Sequence, residues 1–331
     1  MRIGVTGGAG YIGSHIVQDL LEEGHEVVVI DNLSTANEAN ILNREGAGPA
    51  GYSFIEGDVG TDAGLAAFFA AGPLEVVFHF AAWKAAGESM TAPEKYSANN
   101  LRGTLRLIEG MLEHGCRDFI FSSSAAVYGE PQYLPIDEKH PKQPINYYGF
   151  TKLVIEQNLE WFARLRGLRF AALRYFNAAG YDLRGRVRGI ERNPANLLPL
   201  LMDCAVGTRS EIQVFGQDYD TPDGTCLRDY IHVNDLSRAH ILAMHAIRKN
   251  DESLTVNLGS EEELSVQQML DVARKVTDKA IPQKNTERRP GDPPRLVASS
   301  ALAREILDWR AEHSDPETLV QTMWDVYRDQ S

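Results

Sequence analysis

Seven residues near the start of the chain, Gly7-Gly8-Ala9-Gly10-Tyr11-Ile12-Gly13, restrict its fold more than any other feature. They follow directly on an apolar, β-branched run (residues 2–6) and open a segment with helical apolar spacing (11–23). In such a strand–turn–helix step each glycine has a use. Gly7 permits a tight turn, Gly10 lets the backbone approach a pyrophosphate, and Gly13 lets helix and strand pack closely. The N–H groups at the helix start, Tyr11 and Ile12, then face the phosphates, where the helix dipole favours negative charge. Asp31 closes the second apolar run, 18 residues beyond Gly13. A carboxylate there accepts hydrogen bonds from adenosine ribose hydroxyls and repels a 2′-phosphate, so the pattern predicts NAD in preference to NADP. Asp58, after the third run, suits either the adenine edge or a helix cap.

The first half continues this alternation. Residues 2–6, 26–30, 52–56, 75–81, 117–122 and 169–175 read as strands, and 11–23, 62–71, 93–115 and 148–166 as helices. Strand–helix–strand repetition predicts a parallel sheet with helices on both faces. Runs such as Val27-Val28-Val29-Ile30 are apolar at successive positions, as expected where both faces of a strand are covered. After about Asn177 loops lengthen (178–194, 216–226) and the alternation weakens, with helices expected at 195–206, 233–247, 265–277 and 315–327. The reading is a doubly wound α/β domain over 1–176 and a smaller α/β region over 177–331. The boundary is soft, because a segment such as 229–235 could return to the first sheet.

Tyr148 and Lys152 stand four apart in Tyr-Gly-Phe-Thr-Lys, on one face of a helix. A free phenol, with a pKa of about 10, is a poor base. A nearby ammonium, together with an oxidised nicotinamide, would lower it toward the operating range. Ser122-Ser123-Ser124 closes the fifth strand, whose C-terminal end should open on the cofactor crevice, and Ser124 can orient a substrate hydroxyl toward Tyr148.

Taken together, these blocks resemble the extended short-chain dehydrogenase/reductases (Rossmann fold), and within them the UDP-glucose (UDP-galactose) 4-epimerase family. The likeness runs nearly end to end. It takes in Thr6–Gly13, Asp31-Asn32-Leu33, Glu56-Gly57-Asp58, 79–89, Asn99-Asn100, 121–129, 148–152, 173–177, 228–233 and 288–292. The resemblance implies an isomerase with no net redox. Tyr148 takes the proton of the sugar 4-hydroxyl while hydride leaves C4 for NAD, the 4-keto sugar turns its other face, and both return. It places Asn32, Asp58 and Val59 at the adenosine end, and Lys84, Asn99 and Phe176 near the nicotinamide, with Phe80 and Ala81 crossing the cofactor. Lys84, Ser124 and Tyr148 also meet the substrate. Arg228 and Arg289 face its diphosphate, consistent with guanidinium forks gripping phosphate oxygens. Asn177, Asn196, Leu197, Gln213, Phe215 and Asp292 line the sugar or uracil.

Two positions depart from the family pattern. Leu296 stands where epimerases restricted to unsubstituted hexoses often carry a bulky tyrosine, which implies room for an N-acetyl group. Trp83 is bulkier than the residue expected before Lys84. The other readings are a UDP-N-acetylglucosamine or UDP-uronate 4-epimerase, a nucleotide-sugar 4,6-dehydratase, and an NAD-sensing module without chemistry. The dehydratase needs acid residues just after the serine, and this chain has Ala125-Ala126.

Composition narrows the partners. With 33 Lys plus Arg against 46 Asp plus Glu, the formal charge of −13 argues against nucleic acid and anionic membranes. No apolar run approaches the roughly 20 residues of a membrane span. Cys116, Cys204 and Cys226 are scattered, as reduced cytosolic thiols would be, and a cytoplasmic location is expected. Histidines are dispersed, with His240 and His245 five apart, so no metal is expected, and His79 reads as a hydrogen-bonded core residue. The resemblance also implies a homodimer packed through 93–115 and 148–166.

Overall fold

The computed structural model describes residues 1–43, 48–192, 194–289 and 292–330. Asn193 in the loop 178–194, and Pro290 and Gly291 in the block 288–292, lie outside the described residues. Six strands, β1 (Arg2–Thr6), β2 (Glu26–Asp31), β3 (Tyr52–Glu56), β4 (Val76–His79), β5 (Asp118–Ser124) and β6 (Arg169–Tyr175), belong to one sheet. A seventh, Leu254–Leu258, pairs parallel with β6 at the edge. The order is Leu254–Leu258, β6, β5, β4, β1, β2, β3, every pairing parallel. The segment that returns to the sheet is thus 254–258. Residues 229–235 do not join it, because Tyr230–His232 pairs instead with Asn177–Ala179 in a separate two-stranded piece.

Period-two alternation divides each strand between two cores. In β2, Val27 and Val29 enter one apolar cluster and Val28 and Ile30 the other. The first cluster lies under helix α1 (Tyr11–Glu22), the helix Val233–Asn250 and the helix Ala301–Leu307. The second lies under helix α2 (Asp62–Ala70) and the helices Thr104–Glu113 and Tyr147–Arg166. Each fully covered valine or isoleucine is worth about 1.5–3 kcal/mol of burial, which is why continuous apolar runs stand in the central strands.

A third core holds the remainder of the second half. It packs Leu198, Leu201 and Met202 of the helix Leu197–Val206 against Met269 and Leu270 of Val266–Thr277 and Leu319 and Met323 of Pro316–Tyr327. Local chemistry sets these helix starts. Ser265 and Gln268 form a reciprocal capping box, and Asp315 caps the last helix by accepting from Thr318 N. The helix expected over 93–115 is not uniform. It begins as Pro93–Tyr96, widens to a π-helix over Ser97–Gly103 and resumes as Thr104–Glu113. The widened turn carries Asn100, whose buried amide reaches out of the helix to hold the backbone of Trp83 from both sides (Trp83 N to Oδ1 3.0 Å, Nδ2 to Trp83 O 2.9 Å). Such π turns often mark functional positions.

Candidate active site

The chain lays β1, β2 and β3 outward in one direction, then crosses to β4 on the other side of β1. Ligand crevices of open α/β sheets form at such a reversal, outside the carboxyl ends of the strands. Here a cleft is lined by Gly7 and Gly10 after β1, Ile30 to Asn32 at the end of β2, and Gly57 to Val59 after β3. Phe80 to Trp83 after β4, together with Asn99, complete it. The glycine turn has the expected geometry. Gly7 has φ +71°, and a Cβ there would lie 2.6 Å from Ala81 N. A Cβ on Gly13 would lie 2.3 Å from Gly7 O, whereas one on Gly10 would meet only Gly7 O, at 3.1 Å. Gly10 lines the cleft, and its one close neighbour is that backbone oxygen.

No side chain caps the start of α1, so its first N–H groups are left to whatever lies in front of it. Asp31 is buried at the cleft floor, where its Oδ2 accepts from Ala9 N (3.1 Å) and its Oδ1 from Leu33 N (2.8 Å). Burial raises its carboxyl above the usual range, and backbone donors from Leu33, Ala9 and Gly10 oppose that shift. Asp58 is not the helix cap. Thr61 caps α2 through Gly64 N, while Asp58 accepts from Gly60 N (2.7 Å) and from Asn32 Nδ2 (3.1 Å) on the cleft wall. An uncapped helix start, an open Gly10 and a buried acid at the end of β2 fit a dinucleotide.

The three candidate catalytic side chains meet where β5 ends against the helix Tyr147–Arg166. Asn146 caps that helix by accepting from Gly149 N, which places Tyr148 in the first turn and Lys152 one turn further. The Ser124 hydroxyl accepts from Ala126 N and draws the Tyr148 phenol's pKa downward. Lys152 is 2% exposed, and its Nζ donates to Ser122 O at 2.6 Å, 5.7 Å from the centre of the Tyr148 ring. Here the electrostatics differ from the expectation. Burial lifts the phenol to about 12, and Ser124 pulls it down. Burial brings Lys152 itself down to about 7, opposed by Glu156. The ammonium is directed at a strand carbonyl, and burial disfavours its charged form. His79 is a core residue, bonded to Thr6 and Thr104 through its two ring nitrogens and lowered by burial to about 3.

The second half contributes polar groups that are already engaged. Arg228 pairs with Asp292 and donates to the carbonyls of Leu227 and Pro293. Arg289 lies 4.3 Å above the Phe215 ring. Asn177 Nδ2 donates to Asp229 O at 2.9 Å. Gln213 and Asn196 are exposed, and Asn196 precedes Leu197 at a helix start with no side-chain cap. Leu296 and Phe176 pack on one small apolar cluster around Val127, Tyr128 and Ile136, beside Ala125. Lys84, by contrast, is bound to Glu191 Oε1 at 2.6 Å. Tyr11 turns its phenol away to Gly180 O and packs on Tyr181. Trp83 lines the cleft, with Lys95 Nζ 3.6 Å from its ring centre.

Residues 180–192 are laced to the first half close to this cleft. Asn37 donates to Ile190 O, Asn40 bonds Gly189 in both directions, and Arg192 N donates to Thr35 O. Sequence reasoning did not find Glu191, Glu156 or the hold of Asn100, one of the family-like pair Asn99-Asn100, on Trp83. Of these only Glu156 carried a signal, lying four residues after Lys152 on the same helical face.

Fold and site together define an α/β protein whose cleft fits a dinucleotide, with a serine, a tyrosine and a lysine gathered at the end of the neighbouring strand β5. The model of the NAD dependent epimerase/dehydratase family matches residues 3–259, and the chain belongs to that family. It is 43% identical over 330 residues to the UDP-glucose 4-epimerase of Halalkalibacterium halodurans, covering 99% of this chain and 96% of the relative. Among solved structures, it is similar to the UDP-glucose 4-epimerase of Brucella ovis in complex with NAD, with a TM-score of 0.92, 40% identity and 98% of each chain covered. It is also similar to the UDP-glucose 4-epimerase of Bifidobacterium longum in complex with NAD+ and UDP, with a TM-score of 0.92, 36% identity, and 99% and 98% covered.

Proposed function

We propose that this protein interconverts UDP-glucose and UDP-galactose at C4, using a resident NAD. The observation that carries this reading is the Ser124–Tyr148–Lys152 group at the end of β5, beside the cleft at the sheet's reversal. Gly7, Gly10, Gly13 and the α1 start (Tyr11, Ile12) hold the pyrophosphate. Asp31, Asn32, Asp58 and Val59 hold the adenosine, and Phe80, Ala81, Lys84, Asn99 and Phe176 the nicotinamide end. NAD, when bound, would supply the hydride acceptor and later the donor and, in its oxidised form, a positive charge. Tyr148 takes the proton of the C4 hydroxyl, which Ser124 orients, and returns it to the C4 oxygen after the 4-keto sugar has turned its other face, so that the returning hydride inverts C4. Arg228 and Arg289 hold the diphosphate while the sugar turns, and Asn177, Asn196, Leu197, Gln213, Phe215 and Asp292 line the sugar and uracil. Residues 1–176 with the returning strand Leu254–Leu258 serve the cofactor, and the rest serves the nucleotide sugar.

Leu296 extends the reading to N-acetylated substrates. It shares an apolar wall with Phe176 and brings no hydroxyl or ring into that space. UDP-N-acetylglucosamine and UDP-N-acetylgalactosamine are expected to interconvert as well. Ala125 and Ala126 provide no acid for a dehydratase.

Two further features fit the reading. Phe150, Trp161 and Leu165 are 42%, 56% and 71% exposed on one face of Tyr147–Arg166, which suits a homodimer through that helix, to be checked by mass in solution. The three cysteines are free and buried, as in a reducing cytoplasm. Among the described residues no helix is long and apolar enough to cross a membrane.

Product analysis of purified protein with UDP-glucose, UDP-galactose and their N-acetyl and uronate counterparts, without added cofactor, tests the proposal. Both hexoses should equilibrate, and Tyr148→Phe should keep NAD while losing at least about a thousandfold in turnover. A protein empty of NAD and inert toward all of these sugars even with NAD supplied would overturn it.

A further inference from the structure

Behind the three catalytic side chains runs a line of buried polar groups that the proposed chemistry leaves unused. Glu156, 4% exposed, sits one helical turn beyond Lys152. Its Oε1 accepts from Ser123 Oγ (2.5 Å) and Arg174 Nε (2.9 Å), and its Oε2 accepts from Arg174 Nη2 (2.6 Å). Arg174, 3% exposed on β6, also donates to the Tyr128 phenol at 2.9 Å, and that phenol donates to Asn257 Oδ1 at 2.6 Å on the neighbouring edge strand. One carboxylate thus ties the helix Tyr147–Arg166 directly to β5 and, through a bidentate guanidinium, to β6.

The tie to β5 falls at Ser123, between the two β5 groups used by the site. On one side Ser122 O receives the Lys152 ammonium, and on the other stands Ser124, the side chain that draws the Tyr148 phenol's pKa downward. Burying a carboxylate and a guanidinium is costly, and for stability alone an apolar pair of equal volume usually does as well or better. This pair is placed where it fixes the spacing between a strand end and a helix face that must present three reacting groups together. Misplacement of such groups by about 1 Å can cost on the order of a hundredfold in rate.

We propose that Glu156 is a positioning residue for the epimerisation, acting with Arg174 and Ser123 to hold the end of β5 in register with the helix that carries Tyr148 and Lys152. It touches neither sugar nor cofactor and acts through the groups that do. The inference rests on the reading of Tyr148, Ser124 and Lys152 given above.

Four variants test it, with kcat, KM for UDP-galactose, retained NAD and melting temperature read for each. Ser123→Ala, which removes one tie and no charge, should lower kcat about fivefold, and Glu156→Gln about thirtyfold or more. KM should stay within about twofold in both, with NAD retained, because nothing that binds ligand has changed. Glu156→Gln combined with Arg174→Met removes both charges. It should recover melting temperature without recovering kcat. If the double variant recovers both, or if Ser123→Ala turns over like the unaltered protein, the pair is structural only and the inference is overturned. Should Glu156→Gln fail to fold, Ser123→Ala decides alone. Tyr148→Phe separates the two levels. Turnover surviving that change defeats the underlying reading, whereas its loss beside unimpaired Ser123→Ala and double variants defeats only the positioning role.

Discussion

The cofactor cleft and the nucleotide-sugar region are built from different materials. The cleft is mostly backbone: a glycine turn, an uncapped helix start and the ends of four neighbouring strands. The sugar region is mostly long side chains, and its cations already have partners. Arg228 is held by Asp292, Arg289 lies on Phe215, and Lys84 is held by Glu191. A backbone site is shaped as soon as the sheet forms, while a site of paired side chains must exchange partners to receive a diphosphate. This suits a protein whose cofactor stays and whose substrate leaves.

The largest way to break that contrast is at Gly13. A Cβ there would lie 2.3 Å from Gly7 O, so Gly13→Val must open the turn. NAD affinity should fall by about a hundredfold or more, near 3 kcal/mol, with helix content unchanged by circular dichroism. Retention of NAD by this variant would show that the turn does not hold the pyrophosphate. Next is Arg228→Ala, expected to weaken UDP binding about 10- to 100-fold by calorimetry while leaving retained NAD untouched. Equal losses of both ligands would mean that the two regions are not separable.

The smallest test sits at the seam, on Lys152. Its folded value near 7 lies below its ordinary 10.5, so between those values the unfolded chain holds more protons. Stability should therefore rise with pH across that window, the burial of a charged ammonium being a cost that disappears as it deprotonates. Between pH 7 and 10 the unaltered protein should gain about 2–5 °C in melting temperature relative to Lys152→Met. Parallel curves would show that Lys152 keeps its charge in the fold.

The same contrast explains what could be read from the sequence. The sheet and the cleft were legible because their determinants are local: contiguous glycines, an acid at a strand end, and apolar runs whose alternate residues feed two cores. Tyr148 and Lys152 were legible through helical spacing. The pairings of Lys84 with Glu191 and of Arg228 with Asp292 join residues far apart in the chain, where only tertiary packing chooses the partner. The π turn at Ser97–Gly103 escaped for a similar reason, since the demand that widens it comes from Trp83 in another segment. The phenol's elevated pKa was also hidden, because burial is a property of the assembled site.

The division of β2 between two cores has a consequence for how this chain can change. Inserting a single residue directly after Glu26, with the start of the strand held in register, would exchange the layer each valine enters and swing Asp31 to the other side of the sheet. The placement of the Asp31 carboxylate at the cleft is thereby locked to the strand's parity.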